Sequence, residues 1–126
     1  MLFERRTVII GAAAAALAGP AGAAKGADMY GLIGKMLAQP GKRDELIGLL
    51  LEGTGQMPGC FSYVVATDAT NPDAIWITEV WDSPASHQGS LKLPTVQATI
   101  AKARPLIAGF GERFETRPIG GVGLAK

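Results

Sequence analysis

The chain predicts an α+β fold of ferredoxin-like order, βαββαβ, and three observations carry that expectation. Two runs rich in β-branched and aromatic residues, Cys60 to Thr67 and Ala74 to Trp81, are joined by the short turn Asp68 to Asp73 with Asn71-Pro72 inside it, the mark of a hairpin. Helical patterns flank this hairpin on both sides. A further extended segment lies outside each helical pattern, which completes the alternation of strand and helix.

Each element has its own justification. Met29 to Met36 is apolar with Gly31 and Gly34 interspersed and stops at Pro40-Gly41, so it predicts a first strand and its turn. Asp44-Glu45 then suit the positive end of a helix dipole, with Leu46, Ile47, Leu50 and Leu51 on one face and Gly53 and Gly55 ending the helix. Pro58-Gly59 turns the chain into the hairpin. Beyond it, Pro84 to Leu91 and Pro94 to Ile107 predict two helical segments, each opened by a proline, with Pro105 bending or breaking the last turn. Ala108-Gly109 to Gly111 reads as the exit, Glu112 to Pro118 as a half-exposed fourth strand, and residues 119–126 as a glycine-rich tail.

Residues 1–23 predict a cleaved export signal. Arg5-Arg6 give the charged start, Thr7 to Leu17 the apolar run, and Ala21-Gly22-Ala23 the small-residue cleavage site. The arginine pair before Thr7-Val8-Ile9 is similar to a twin-arginine signal. The apolar run is shorter than the roughly 20 residues that span a bilayer, so no stable membrane anchor is expected after cleavage. Residues 24–28 form a linker, and 29–118 a single folded domain. The expected location is periplasmic or extracellular.

Without the signal, basic and acidic residues balance and are scattered among one another, which argues against nucleic acid as a partner. The single cysteine, Cys60, has no second cysteine to pair with and reads as a small apolar residue at a strand start. One histidine and one cysteine make no metal-ligand set. Neither face of the hairpin shows the run of charges that water rewards. Ile75, Ile77, Glu79 and Trp81 oppose Trp76, Thr78 and Val80; Phe61, Tyr63 and Val65 oppose Ser62, Val64 and Ala66. One helix layer covers one face of a sheet only. The other face predicts a two-fold homodimer with sheets packed face to face, a dimeric α+β barrel.

Several segments, in order, carry a resemblance: Gln39-Pro40-Gly41-Lys42, Pro58-Gly59-Cys60, Glu79-Val80-Trp81-Asp82-Ser83, Leu93-Pro94-Thr95-Val96 and Arg104 to Phe110. From Met29 to about Gly121 the chain resembles the antibiotic biosynthesis monooxygenase family, which includes quinol monooxygenases. The resemblance implies oxidation of a quinol or polyphenolic aromatic by molecular oxygen with no metal, flavin or haem. It also implies a departure, because many relatives carry a histidine where this chain has Ser90. The residues that haem-degrading relatives use would fall on Gly34, Ser90 and Ile100, and none of the three matches.

Cofactor-free oxygenation needs a deprotonated phenol, a base near neutral pKa and a dry apolar pocket. His87 has the side chain for that base, and Tyr63 is the second catalytic candidate. Trp76, Trp81, Ser90 and Phe61 are the candidates for contact with an aromatic substrate. Glu79, on a largely apolar face, is expected to pair with Arg104, Arg113 or another cation. A non-catalytic exported protein holding a small apolar or aromatic molecule in the same dimer pocket is the competing reading.

Overall fold

The computed structural model describes residues 29–124; the export signal and linker expected over 1–28 lie outside the described residues. Four strands form one antiparallel sheet: β1 (Tyr30–Ala38), β2 (Cys60–Thr67), β3 (Ala74–Trp81) and β4 (Ile107–Thr116), in the order β2-β3-β1-β4. Helices α1 (Arg43–Gly53), α2 (Pro84–Ser90) and α3 (Pro94–Ala103) complete the ferredoxin-like α+β arrangement, with a 3₁₀ turn over Arg104–Leu106. Among the described residues, no helix is long and apolar enough to cross a membrane.

Local chemistry explains the boundaries. Ser83 caps α2 by accepting the Ser86 N–H at 3.1 Å, with Pro84 next to it where a missing N–H costs nothing. Pro94 plays the same part in α3, and Pro105 tightens the end of that helix into the 3₁₀ turn. At the end of α1 the cap residue Thr54 is not left-handed (φ −116°), and its hydroxyl donates to the Leu50 carbonyl at 2.6 Å. Gly53 is there for another reason. A Cβ on it would lie 2.7 Å from Thr99 Cβ on α3, so its missing side chain is what lets the two helices approach.

The core lies between the helices and one face of the sheet. Leu46 and Ile75 are fully buried, joined by Ala38, Leu50, Ile77 and Ala103. Leu51 departs from the expected apolar face: it is 55% exposed, while Leu49 packs against the core beside Ile47. The first strand runs to Ala38 rather than Met36. The fourth strand begins at Ile107, so Ala108 to Gly111 is strand and not an exit. Glycines there are accommodated by register shifts against β1, and Gly111 lets β4 lie close over the Lys35 side chain.

Residues directly opposite in an antiparallel pair share a face. Tyr30 stands opposite Trp81, Leu32 opposite Glu79, and Tyr63 opposite Glu79 from the other side, which places all five on the helix side with Ile75 and Ile77. The far side carries Ile33, Lys35, Val64, Trp76, Val80 and Phe114. Val64 and Phe114 are each 53% exposed. That face is apolar and no helix of the described residues covers it.

Candidate functional site

The end of the sheet where β1 starts and β3 finishes collects most of the chemistry-bearing side chains. Tyr30 and Trp81 are cross-strand neighbours there, and α2 lies over them because Ser83 and Pro84 start a helix immediately after the strand. His87 is thereby brought down onto the sheet. Its ring centroid is 5.5 Å from that of Tyr30 and 5.5 Å from that of Trp81, edge-on to the indole. It is not a solvent-facing residue: the His87 and Glu79 side chains are only 12% and 14% exposed.

Glu79 is the acid of this cluster. Its Oε1 accepts the Trp81 indole N–H at 2.8 Å and lies 3.9 Å from His87 Nε2. The expected arginine partners are replaced by this imidazole. Arg104 starts the 3₁₀ turn near the Ala38 end of β1, where Gln39 N–H reaches the Leu106 carbonyl, and so sits at the other end of the sheet. Arg113 is opposite Gly34 and exposed. His87 Nδ1 is buried and has no hydrogen-bond partner, an unusual state for an interior polar atom.

Two phenols flank the pair. Tyr30 Oη donates to Glu115 at 2.6 Å, and burial followed by that carboxylate raises its pKa to about 12. Tyr63 is packed against the core; burial first, then the Glu79 charge, pushes its hydroxyl above the ordinary phenol range. Burial likewise raises the Cys60 thiol, whose Sγ donates weakly to the Ser62 carbonyl. Tyr63, Cys60, Phe61, Met57 and Leu51 line a cleft of about 320 Å³ between the end of α1 and β2. Tyr63, one of its lining residues, stands opposite Glu79 in the strand pairing.

The sequence-derived candidates thus divide. Trp81, His87 and Tyr63 are brought together around Glu79. Ser90 is buried on α2, but its hydroxyl donates to the His87 carbonyl at 2.7 Å, a bond within the helix. Phe61 is the unpaired residue of a bulge where Cys60 pairs with Trp81 and Ser62 with Val80, and it lines the cleft with Tyr63, 41% exposed. Trp76 stands on the far face: its indole N–H donates to Asp68 at 2.8 Å, and Lys35 Nζ is 5.6 Å from its ring. It takes no part in the His87 cluster. The imidazole partner of Glu79 and the place of Tyr30 in the cluster are not legible in the sequence: Tyr30 faces Trp81 across β1 and β3, Glu79 faces Leu32, and α2 brings His87 onto both. Among the described residues, no group of three or more His, Cys, Asp or Glu side chains is placed to hold a metal ion.

Fold and site together define a ferredoxin-like α+β domain with an enclosed imidazole–carboxylate pair beneath a short helix. The model of the antibiotic biosynthesis monooxygenase family matches residues 29–102, and the chain belongs to that family. A crystal structure from Chloroflexus aurantiacus J-10-fl that carries this family's designation is 65% identical, with 77% of this chain and 99% of that one covered and a TM-score of 0.75. Two more distant structures share the fold. One, from Bacteroides thetaiotaomicron VPI-5482, has 13% identity, 77% and 95% coverage and a TM-score of 0.67; the other, a conserved protein from Methanosarcina mazei Go1, has 20%, 74% and 95%, and 0.64. Comparison with curated proteins gives no match.

Proposed function

We propose that this monooxygenase-family protein oxidises a quinol or polyphenolic aromatic with molecular oxygen, without metal or organic cofactor. The observation that carries the proposal is the enclosed His87 imidazole, with Nδ1 unpartnered and a carboxylate at its other nitrogen. Nδ1 accepts the phenolic proton of the substrate, which leaves an electron-rich anion. Tyr63, its hydroxyl kept protonated by burial, donates a hydrogen bond to that anion. A quinol then becomes a hydroxyquinone as one oxygen atom enters the ring and the other leaves as water, every electron coming from the substrate. Leu51, Met57 and Phe61 supply the apolar side of the cleft.

The proposed assembly is a two-fold homodimer. The uncovered face with Val64, Trp76, Val80 and Phe114 is self-complementary in chemistry and asks for an apolar cover. Its proposed place is outside the cytoplasm, on the strength of Arg5-Arg6 and the apolar run after them.

One observation favours a second reading. His87 is not among the residues lining the cleft, so a protein that merely holds a small aromatic molecule there would have the same surface. Oxygen uptake by metal-stripped protein with reduced naphthoquinols and benzoquinols, against a heat-denatured control, separates the two. Uptake above the control that falls in His87→Ala supports oxygenation. Saturable binding of the same compounds without uptake assigns the cleft to binding alone.

A further inference from the structure

We infer that Glu79 is the positioning residue for His87: it holds the imidazole in the tautomer with the proton on Nε2 and leaves Nδ1 as the basic atom. The argument starts from what each nitrogen faces. Nε2 is 3.9 Å from Glu79 Oε1, and Nδ1 faces no partner. A proton on Nε2 points toward the carboxylate and is stabilised by it. A proton on Nδ1 would leave a buried donor unsatisfied and turn the Nε2 lone pair toward a negative oxygen, two penalties at once.

The carboxylate is itself held. Trp81 donates to the same Oε1 at 2.8 Å, and Trp81 is 1% exposed, so its ring cannot swing away without opening the core. The hydrogen bond from Trp81 fixes where the negative charge stands, and the charge fixes the ring. Glu79 and Trp81 are two residues apart on one strand and therefore share its face. The 3.9 Å separation exceeds a hydrogen bond, as is common before substrate tightens a site. The pair thus resembles in logic any base oriented by an acid behind it. Glu79 touches no substrate in this arrangement; its effect passes through the imidazole.

For catalysis the inference rests on the proposed role of His87 as base, but its central measurement needs no substrate. His87 is the chain's one histidine, so long-range ¹H–¹⁵N correlation spectra of uniformly ¹⁵N-labelled protein show a single imidazole. In the neutral ring, the expected spectrum has Nε2 protonated and Nδ1 bare. In Glu79→Gln, with its circular dichroism unchanged, the share protonated on Nδ1 rises, because the Nε2 lone pair no longer faces a negative oxygen. A wild-type ring protonated on Nδ1, or an unchanged tautomer in Glu79→Gln, overturns the inference. If Glu79→Gln does not fold, the wild-type spectrum still decides. With any quinol the protein oxidises, the variant's kcat falls by about tenfold or more at unchanged KM; an unchanged kcat overturns the positioning role. Absence of all oxygen uptake in the wild type defeats the proposed reaction and leaves the tautomer measurement standing.

Discussion

Replacing Gly53 by alanine tests whether close approach of α1 to α3 sets the position of the cleft wall. The added Cβ would lie 2.7 Å from Thr99 Cβ and 2.8 Å from Thr99 Cγ2, with Thr99 Oγ1 nearer still. Carbon atoms rest at about 3.5–4.0 Å from one another, so one helix must retreat by about 1 Å. Overpacking of this kind costs ~1–3 kcal/mol. Against it stands the preference of a helix for alanine over glycine, up to ~1 kcal/mol, only part of which is available at the last residue of α1. The expected net loss is about 1–2 kcal/mol. Urea denaturation followed by circular dichroism reads it as a lower midpoint at unchanged slope. Combining Gly53→Ala with Thr99→Gly, which clears the space, should recover at least ~1 kcal/mol relative to the sum of the single changes. A Gly53→Ala protein as stable as the wild type, or strict additivity in the cycle, refutes the reasoning.

Three other expectations follow from the same structure. Leu46→Ala empties a fully buried site beneath the sheet and should cost ~2–5 kcal/mol in the same urea assay. Val64→Lys puts a charge on the uncovered face of the sheet and should convert a dimer to monomers in analytical ultracentrifugation while leaving the circular dichroism unchanged; an unaltered sedimentation coefficient removes that face from the proposed interface. Tyr30, with its pKa raised from 10.0 to about 12, binds its proton more tightly folded than unfolded, so its contribution is whole below pH ~10 and is lost as the pH rises toward 12. Absorbance titration of phenolate formation should therefore lag the ordinary tyrosine curve and coincide with falling stability, whereas Tyr30→Phe should show a shallower alkaline loss.

The parts of the fold that rest on local chemistry could be read from the chain. Cys60 to Thr67 and Ala74 to Trp81 have the bounds expected of them, because β-branched runs and the Asn71-Pro72 turn are local signals. The start of β4 was missed because Gly109 and Gly111 look like a break; only pairing with β1 across the register shifts makes that stretch a strand. The bulge at Phe61 has no local signal either, because an inserted residue shows only in the pairing of β2 with β3. The site divides along the same line. His87 on α2 and Trp81 on β3 were visible as residue types in one segment. That Glu79 would face an imidazole rather than an arginine depends on how α2 settles over Tyr30 and Trp81, a tertiary fact with no counterpart in spacing.

Trp76 and Trp81 stand on opposite sides of one strand, and the chain holds no other tryptophan. That gives the protein two native fluorophores facing different compartments. Trp81 emits from beside the imidazole and its carboxylate; Trp76 emits from the uncovered sheet surface, tethered to Asp68. In a Trp76→Phe background, quenching by an added aromatic compound reports on binding near the His87–Glu79 pair. In a Trp81→Phe background, a spectral shift on dilution reports on whether another surface has left the sheet. Ligand occupancy and self-association can therefore be followed optically and apart, with no label attached.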